Sequence, residues 1–223
     1  MKRVLWRAAR WFALLVIGCY AAAVLGMIAL RWVNPFTTGV HIQRRVEALL
    51  ARERYQKRYT FVPLGRISPS LQRAVIAAED TRFFQHHGID WKEVGNVIED
   101  GIESGRISRG ASTITQQLVK NLFFTTHRSA LRKIPEFTLA PLAELVLPKR
   151  RILELYLNVV EWGPGVYGAE AAARYHYGIP AAAVDRARAV RLAAILPSPR
   201  KRRPARMDRY SAAIETRMRR MGW

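Results

Sequence analysis

Between Trp11 and Leu30 the chain carries no charged residue, and that run constrains what the rest can be. At 1.5 Å rise per residue a helix over it is about 30 Å long, roughly the hydrocarbon thickness of a bilayer. Lys2, Arg3, Arg7 and Arg10 precede the run, and only Arg31 follows closely. That bias predicts a cytoplasmic N-terminus with the rest of the chain outside. Trp11 and Trp32 fall where interfacial aromatics belong. A processed leader competes with this reading, because Ala21-Ala22-Ala23 resembles a signal-peptidase site and Val16-Ile17-Gly18-Cys19 a lipoprotein box. The apolar run continues through Leu30, too long for an ordinary leader core, and a lipoprotein would begin with an odd apolar stretch. An uncleaved anchor is favoured. Residues 1–10 are then a cytoplasmic basic segment, 11–31 a transmembrane helix, 32–59 a juxtamembrane linker or amphipathic helix, and 60–223 one exported domain.

The whole chain has 223 residues and a single cysteine, Cys19, which excludes an intrachain disulfide framework. Its formal net charge of +20 calls for an anionic partner or surface. Nucleic acid is one such partner, an anionic bilayer or phosphate-bearing lipid another. No basic helix repeat, zinc-ligand spacing or aromatic RNA-binding box favours nucleic acid, which is excluded as a partner. Most of the arginines read as a solvated basic surface, with a denser cluster at Arg200, Lys201, Arg202, Arg203 and Arg206.

After the anchor, Ile42, Val46, Leu49 and Leu50 recur at helical spacing. Thr60–Leu64 reads as a short extended segment. Ser68-Pro69 offers an N-cap with proline at the first helical position, ahead of Leu71, Ala74, Val75 and Ala78. Pro148 opens a helix with Ile152, Leu153, Tyr156 and Leu157 as its buried stripe, ending at Gly163-Pro164-Gly165, and another runs through Val184–Leu196. No long alternating strand pattern, internal repeat or low-complexity tract appears, so the exported part is expected to be mainly α.

Polar residues crowd into particular segments of this helical chain. Glu79 and Asp80 follow an apolar helix directly, and an acid at the edge of apolar surface is partly desolvated, which raises its pKa and suits it to proton transfer. A surface acid at a helix end is the plainer alternative. His86-His87 does not make a metal site, because adjacent residues rarely ligate one ion. In Gly110–Asn121, Thr113 and Gln116 fit a capping box, and Ser112, Thr113, Gln116, Gln117, Lys120 and Asn121 share one half of the wheel. Hydroxyls, amides and a lysine suit sugars and phosphates; an ordinary solvated face more often uses Glu and Lys. Arg128, Arg132 and Lys133 lie close ahead of Glu136. Pro135 suits the first turn of a following helix, which would set Glu136 at a helix N-terminus, where the dipole favours the ionised acid. A local salt-bridge cluster is the plainer account. In Lys149–Asn158, Glu154 and Asn158 share a face of what reads mainly as scaffold.

Taken together the segments resemble the peptidoglycan glycosyltransferases of glycosyltransferase family 51, closest to their monofunctional, membrane-anchored branch. The signature E-D-x-x-F-x-x-H-x-G reads as Glu79, Asp80, Phe83, His86 and Gly88, and G-x-S-T-I-T-Q-Q-x-x-K-N runs from Gly110 to Asn121. R-K-x-x-E reads as Arg132, Lys133 and Glu136, K-x-x-I-L-E-x-Y-L-N ends at Asn158, and L-P-x-P is Leu196–Pro199. The likeness covers roughly Phe61 to Arg200 in the expected order, which leaves little room for chance.

The resemblance implies a lysozyme-like helical domain with a small membrane-facing jaw, and a reaction that joins lipid II units into glycan strands. By position it makes Glu79 the general base and Glu136 the second acid of the cleft. It makes Lys120 and Arg128 pyrophosphate-binding cations, and Ser112, Gln117, Asn121, Arg132 and Lys133 substrate-binding positions. It requires no cofactor, although Mg²⁺ or Mn²⁺ is a conceivable aid to pyrophosphate departure. Lipid II, the nascent strand and the membrane are the implied partners, and cell-division or cell-wall synthesis proteins stay open. The location it implies is the bacterial inner membrane, single-pass, with a periplasmic catalytic domain. A lysozyme-like hydrolase is the nearest rival, but cleaving a neutral glycan needs no cations beside its acids. A non-catalytic scaffold is opposed by the intact acids and cations. A bifunctional penicillin-binding protein is excluded by length, and Ser198-Pro199-Arg200-Lys201 stands without the further motifs of that class.

Overall fold

The computed structural model describes residues 1–105, 110–127 and 130–223. Ten α-helices and a minimal sheet make up the described residues. The first helix, α1 (Lys2–Ala29), is long and apolar enough to cross a membrane, with a mean hydropathy of 2.4 over its best window. It runs ahead of the charge-free span into the basic N-terminal segment as one unbroken helix. Its outer end is held by the rest of the protein. The Tyr20 hydroxyl shares a 2.6 Å hydrogen bond with Thr138, and Met27 is fully buried. Arg151 donates to the carbonyls of Leu30 at 2.8 Å and Val33 at 3.0 Å.

A helix α2 (Gly39–Leu50) follows, capped by the Thr38 hydroxyl on the His41 N–H. It is amphipathic, but its apolar stripe is not the side turned to the core. The buried residues are Val40, His41 and Gln43, while Ile42, Val46, Leu49 and Leu50 face outward. The reason is a set of specific polar contacts on the inner side. Gln43 donates to Thr126 Oγ1 at 2.9 Å, and Arg44 reaches the Glu161 carboxylate at 3.0 Å.

The core gathers around α3 (Pro69–Glu79), α5 (Ile114–Phe123), α6 (Ala130–Val146), α7 (Lys149–Val159) and α9 (Arg186–Ile195). Ser68 and Pro69 stand at the start of α3 and Pro148 ahead of α7, the positions their punctuation predicts. α3 packs between α9 and α10 (Asp208–Arg220), whereas α5 packs between α6 and α7. The largest fully buried side chains include Trp162, Tyr156, Tyr167 and Phe83.

Two local expectations are corrected. The segment after α7 is a small sheet: β2 (Glu161–Gly163) pairs antiparallel with β3 (Val166–Tyr167), which pairs parallel with β1 (Arg58–Tyr59). Gly163–Gly165 therefore turns between strands, and the helix stops earlier. Pro135 and Glu136 do not open a helix either. Both lie well inside α6, so Glu136 is not at the N-terminus of its own helix and the expected dipole argument does not apply. Arg132 and Lys133 of the same helix pair with it instead.

Asn158 ties the N-terminal strand region to α7. Its amide donates to the Val62 carbonyl and its oxygen accepts from the Val62 N–H, both at 2.9 Å. Glu154 accepts from the Leu64 N–H and pairs with Arg151. Both residues brace the frame, in keeping with a scaffold helix. The remaining helices, α4 (Trp91–Ser104) and α8 (Ala169–Tyr177), differ sharply. α8 is alanine-rich and buried along Ala169–Ala173, but α4 buries only Val97 and exposes Trp91, Ile98 and Ile102.

Candidate active site

Glu79 is the last residue of α3, and the chain turns away immediately at Asp80. The Asp80 carboxylate is buried. It lies 3.0 Å from His86 Nε2 and accepts the Ile114 N–H at 2.9 Å, at the opening of α5. α5 also opens with the capping box read from its sequence: Gln116 N–H to Thr113 Oγ1 at 3.1 Å, and Thr113 N–H to Gln116 Oε1 at 3.0 Å. The Thr113 hydroxyl donates onward to the Gly88 carbonyl at 2.6 Å. Gly88 has φ +90°, and a Cβ there would come within 2.7 Å of the Ala140 backbone, so only glycine fits. Two signature segments far apart in sequence are thus bolted together at Asp80 and Gly88.

This docking aims the polar side of α5 at Glu79. Gln117 Nε2 donates to Glu79 Oε2 at 2.7 Å, and the Tyr156 hydroxyl donates to Gln117 Oε1 at 3.0 Å. Burial and the nearby charges of Glu79 and Asp80 push the Tyr156 phenol well up, so it stays protonated and a donor. The order Tyr156, Gln117, Glu79 fixes which end of the amide meets the acid. Burial raises the Glu79 carboxyl above its ordinary range; the Gln117 bond and the charges of Lys120, Arg202 and Arg217 pull partly back. An acid held so is a base able to take a proton near neutral pH.

Lys120 lies one turn beyond Gln117. Its pKa is lowered by burial first and by Arg132 second, with Glu79 acting the other way. Across the cleft Glu136 is buried, gripped from its own helix by Arg132 and by Lys133 at 3.2 Å. Lys133 also donates to Ser112 Oγ at 2.9 Å, joining α6 to the segment before α5. Burial lowers Lys133, and the charges of Arg132 and Lys120 lower it further. The cations therefore repel one another in a site with too little negative charge to balance them.

Arg202 and Arg217, on the C-terminal segment, are not among the site residues the sequence suggests, and no spacing in it points to them. Arg217 donates weakly to the carbonyls of Ala77 and Ala78 at 3.3 and 3.4 Å, at the end of α3. Arg202 donates to the Ala194 carbonyl at 2.9 Å. Both guanidinium groups lie against the Tyr210 ring, at 5.2 Å for Arg202 and 6.0 Å for Arg217. Of the sequence candidates, Ser112, Gln117, Lys120, Arg132, Lys133 and Glu136 come together with Glu79. Asn121 is buried with its amide spent on the Gln117 carbonyl at 2.7 Å, and Arg128 lies outside the described residues.

A divalent metal finds little welcome here. Glu79 is engaged by Gln117 and Glu136 by Arg132 and Lys133, and the described residues contain no cluster of three or more His, Cys, Asp or Glu. Magnesium is usually held by one or two carboxylates together with substrate phosphates, and Glu79 and Glu136 already have partners.

The fold and cleft together define a mainly helical, lysozyme-like glycan enzyme. A family model described as transglycosylase matches residues 46–221, most of the chain. The biosynthetic peptidoglycan transglycosylase of Laribacter hongkongensis (strain HLHK9) is 44% identical over 179 residues, covering 80% of this chain and 78% of the relative. That of Pseudomonas entomophila (strain L48) is 42% identical over 223 residues, covering 100% of this chain and 89% of the relative. The chain belongs to the transglycosylase family.

Proposed function

We propose that this peptidoglycan glycosyltransferase polymerises lipid II, moving the growing strand from undecaprenyl pyrophosphate to the next lipid II. The observation that carries the reading is the excess of cations. Among the described residues, Lys120, Arg132, Lys133, Arg202 and Arg217 outnumber the carboxylates Glu79, Asp80 and Glu136, and Asp80 is turned to His86 and the Ile114 N–H instead of to a Lys or Arg. A neutral glycan does not need them, whereas a departing pyrophosphate does.

In the reaction the 4-hydroxyl of the acceptor N-acetylglucosamine attacks the anomeric carbon of the donor N-acetylmuramic acid. The new carbon–oxygen bond forms as the bond to pyrophosphate breaks, and attack from the opposite face inverts α to β. Glu79 accepts the hydroxyl proton, with Gln117 orienting its carboxylate. Lys120 and Arg128 meet the charge developing on the leaving oxygen, and Arg132, Lys133 and Ser112 line the adjoining part of the cleft. Glu136 keeps the Arg132 and Lys133 heads in place.

The helix α1 crosses the inner membrane once, leaving the N-terminus in the cytoplasm and the catalytic domain in the periplasm. The exposed Trp91, Ile98 and Ile102 of α4 fit a membrane-facing jaw. The test uses full-length protein in proteoliposomes with labelled lipid II. Wild type is expected to convert lipid II into polymer and to leave lipid-free strands intact. Glu79→Gln, which keeps the Gln117 contact but cannot take the proton, is expected to make none. Normal turnover by that variant would sink the assignment. Release of soluble fragments from purified sacculi with lipid II untouched would establish a hydrolase instead.

A further inference from the structure

The helix α2 is inside out for a helix in water. Its polar side is buried: the His41 ring sits 4.0 Å from that of Tyr167, Gln43 bonds Thr126, and Arg44 pairs with Glu161. Its outer side is apolar. Ile42, Val46, Leu49 and Leu50 are 55%, 46%, 75% and 79% exposed. These positions, i, i+4, i+7 and i+8, form one stripe. The inner contacts prevent the helix from rotating to hide it, so something outside this fold must cover it.

The position of α2 identifies the cover. The Phe123 ring lies 3.6 Å from where a Cβ on Gly26 would be, against the last turns of α1. A Cβ on Gly39, the first residue of α2, would lie 2.7 Å from the Phe124 carbonyl and 3.2 Å from the Phe123 backbone. One residue therefore bridges the outer end of the apolar helix and the start of α2, setting both at one level. Between them Trp32, Val33 and Phe36 are also exposed, which continues the apolar belt from α1 into α2. Arg45 stands exposed beside the stripe, as suits a headgroup boundary.

We propose that α2 lies in the plane of the membrane interface, with Ile42, Val46, Leu49 and Leu50 in lipid, as a membrane contact distinct from both the anchor and the α4 jaw. This rests on the reading of α1 as a membrane span. The contact has a mechanical consequence. α2 grips the loop just after α5 through Gln43 and Thr126, and grips β2 through Arg44 and Glu161. Fixing α2 in lipid fixes the height and tilt of the helix that carries Gln117 and Lys120. Pyrophosphate groups of lipid-linked substrates sit at that same interface.

The test measures depth directly, with the full chain in vesicles of phosphatidylethanolamine and phosphatidylglycerol. Cys19 is the only cysteine, so a fluorophore on it reports on α1. Cys19→Ala combined with Val46→Cys, Leu49→Cys or Ala51→Cys then places the same label along α2. Lipids brominated high on the acyl chain are expected to quench labels at 46 and 49, and aqueous iodide to leave them bright. The label at 51, beside the polar side of the helix, should respond to iodide. If iodide quenches 46 and 49 while Cys19 stays lipid-quenched, α2 is not in lipid and the proposal falls with the anchor intact. If Cys19 itself is iodide-accessible, the anchor reading falls first. Protection of 46 and 49 only in native membranes would mean a protein covers the stripe, which also overturns the proposal.

Discussion

Asp80 is adjacent to the proposed base, yet its contacts are those of a bolt. It is buried, and its two oxygens serve His86 Nε2 at 3.0 Å and the Ile114 N–H at 2.9 Å. Asp80→Asn keeps the shape but replaces one acceptor oxygen with an amide donor. The better orientation puts the amide oxygen where Oδ2 lies, 3.0 Å from His86 Nε2 and 2.9 Å from the Ile114 nitrogen, so both partners keep an acceptor but lose the carboxylate's charge. A hydrogen bond to a charged group contributes about 1.5–3 kcal/mol against about 0.5–1.5 kcal/mol for a neutral one, so weakening both buried bonds costs about 2–4 kcal/mol. For a protein of this size that is a fall in melting temperature of roughly 5–15 °C. Turnover should fall too, because the start of α5 positions Gln117 and Lys120, although Asp80 touches no substrate. Thermal melts by circular dichroism in detergent, run beside lipid II turnover, make the measurement. Glu79→Gln is the comparison: no turnover at an unchanged melting temperature. A wild-type melt for Asp80→Asn would refute this account of the residue, as would an equal loss of stability in Glu79→Gln.

The other predictions concern the charges and one turn. Because Glu79 acts ionised and burial raises its pKa, turnover should decline as pH falls through that raised value; Arg217→Gln should move this acid limb to higher pH and Arg217→Lys should restore it, with equal limbs in all three counting against a charge effect. Lys120→Ala is expected to lower the rate about 10²–10³-fold, as loss of one preorganised donor to a developing charge does elsewhere; a single-turnover assay with labelled lipid II checks this. Gly88→Ala should lower the melting temperature and the yield of folded protein, since its φ of +90° and the close Ala140 backbone exclude a side chain.

The apolar run from Trp11, the cap at Thr113 and the punctuation at Pro69 and Pro148 are local matters, and the sequence alone determined them. Each depends on hydrogen bonds or hydration within a few residues, so spacing suffices to read it. The order of the acid and cation segments likewise announced the family and the residues around Glu79. What the chain does with a helix once formed was decided by packing. Pro135 looks like a helix start, yet it lies within α6, and Glu136 takes its charge partners from Arg132 and Lys133 instead of a helix dipole. The stripe of Ile42, Val46, Leu49 and Leu50 shows that α2 has an apolar side, but polar contacts from Thr126 and β2 hold the opposite side inward. Arg202 and Arg217 join Glu79 only because α9 and α10 close over α3, a proximity across more than a hundred residues that no local pattern records. Periodicity shows that a helix has two sides; only the partners supplied by the rest of the fold determine which side faces in.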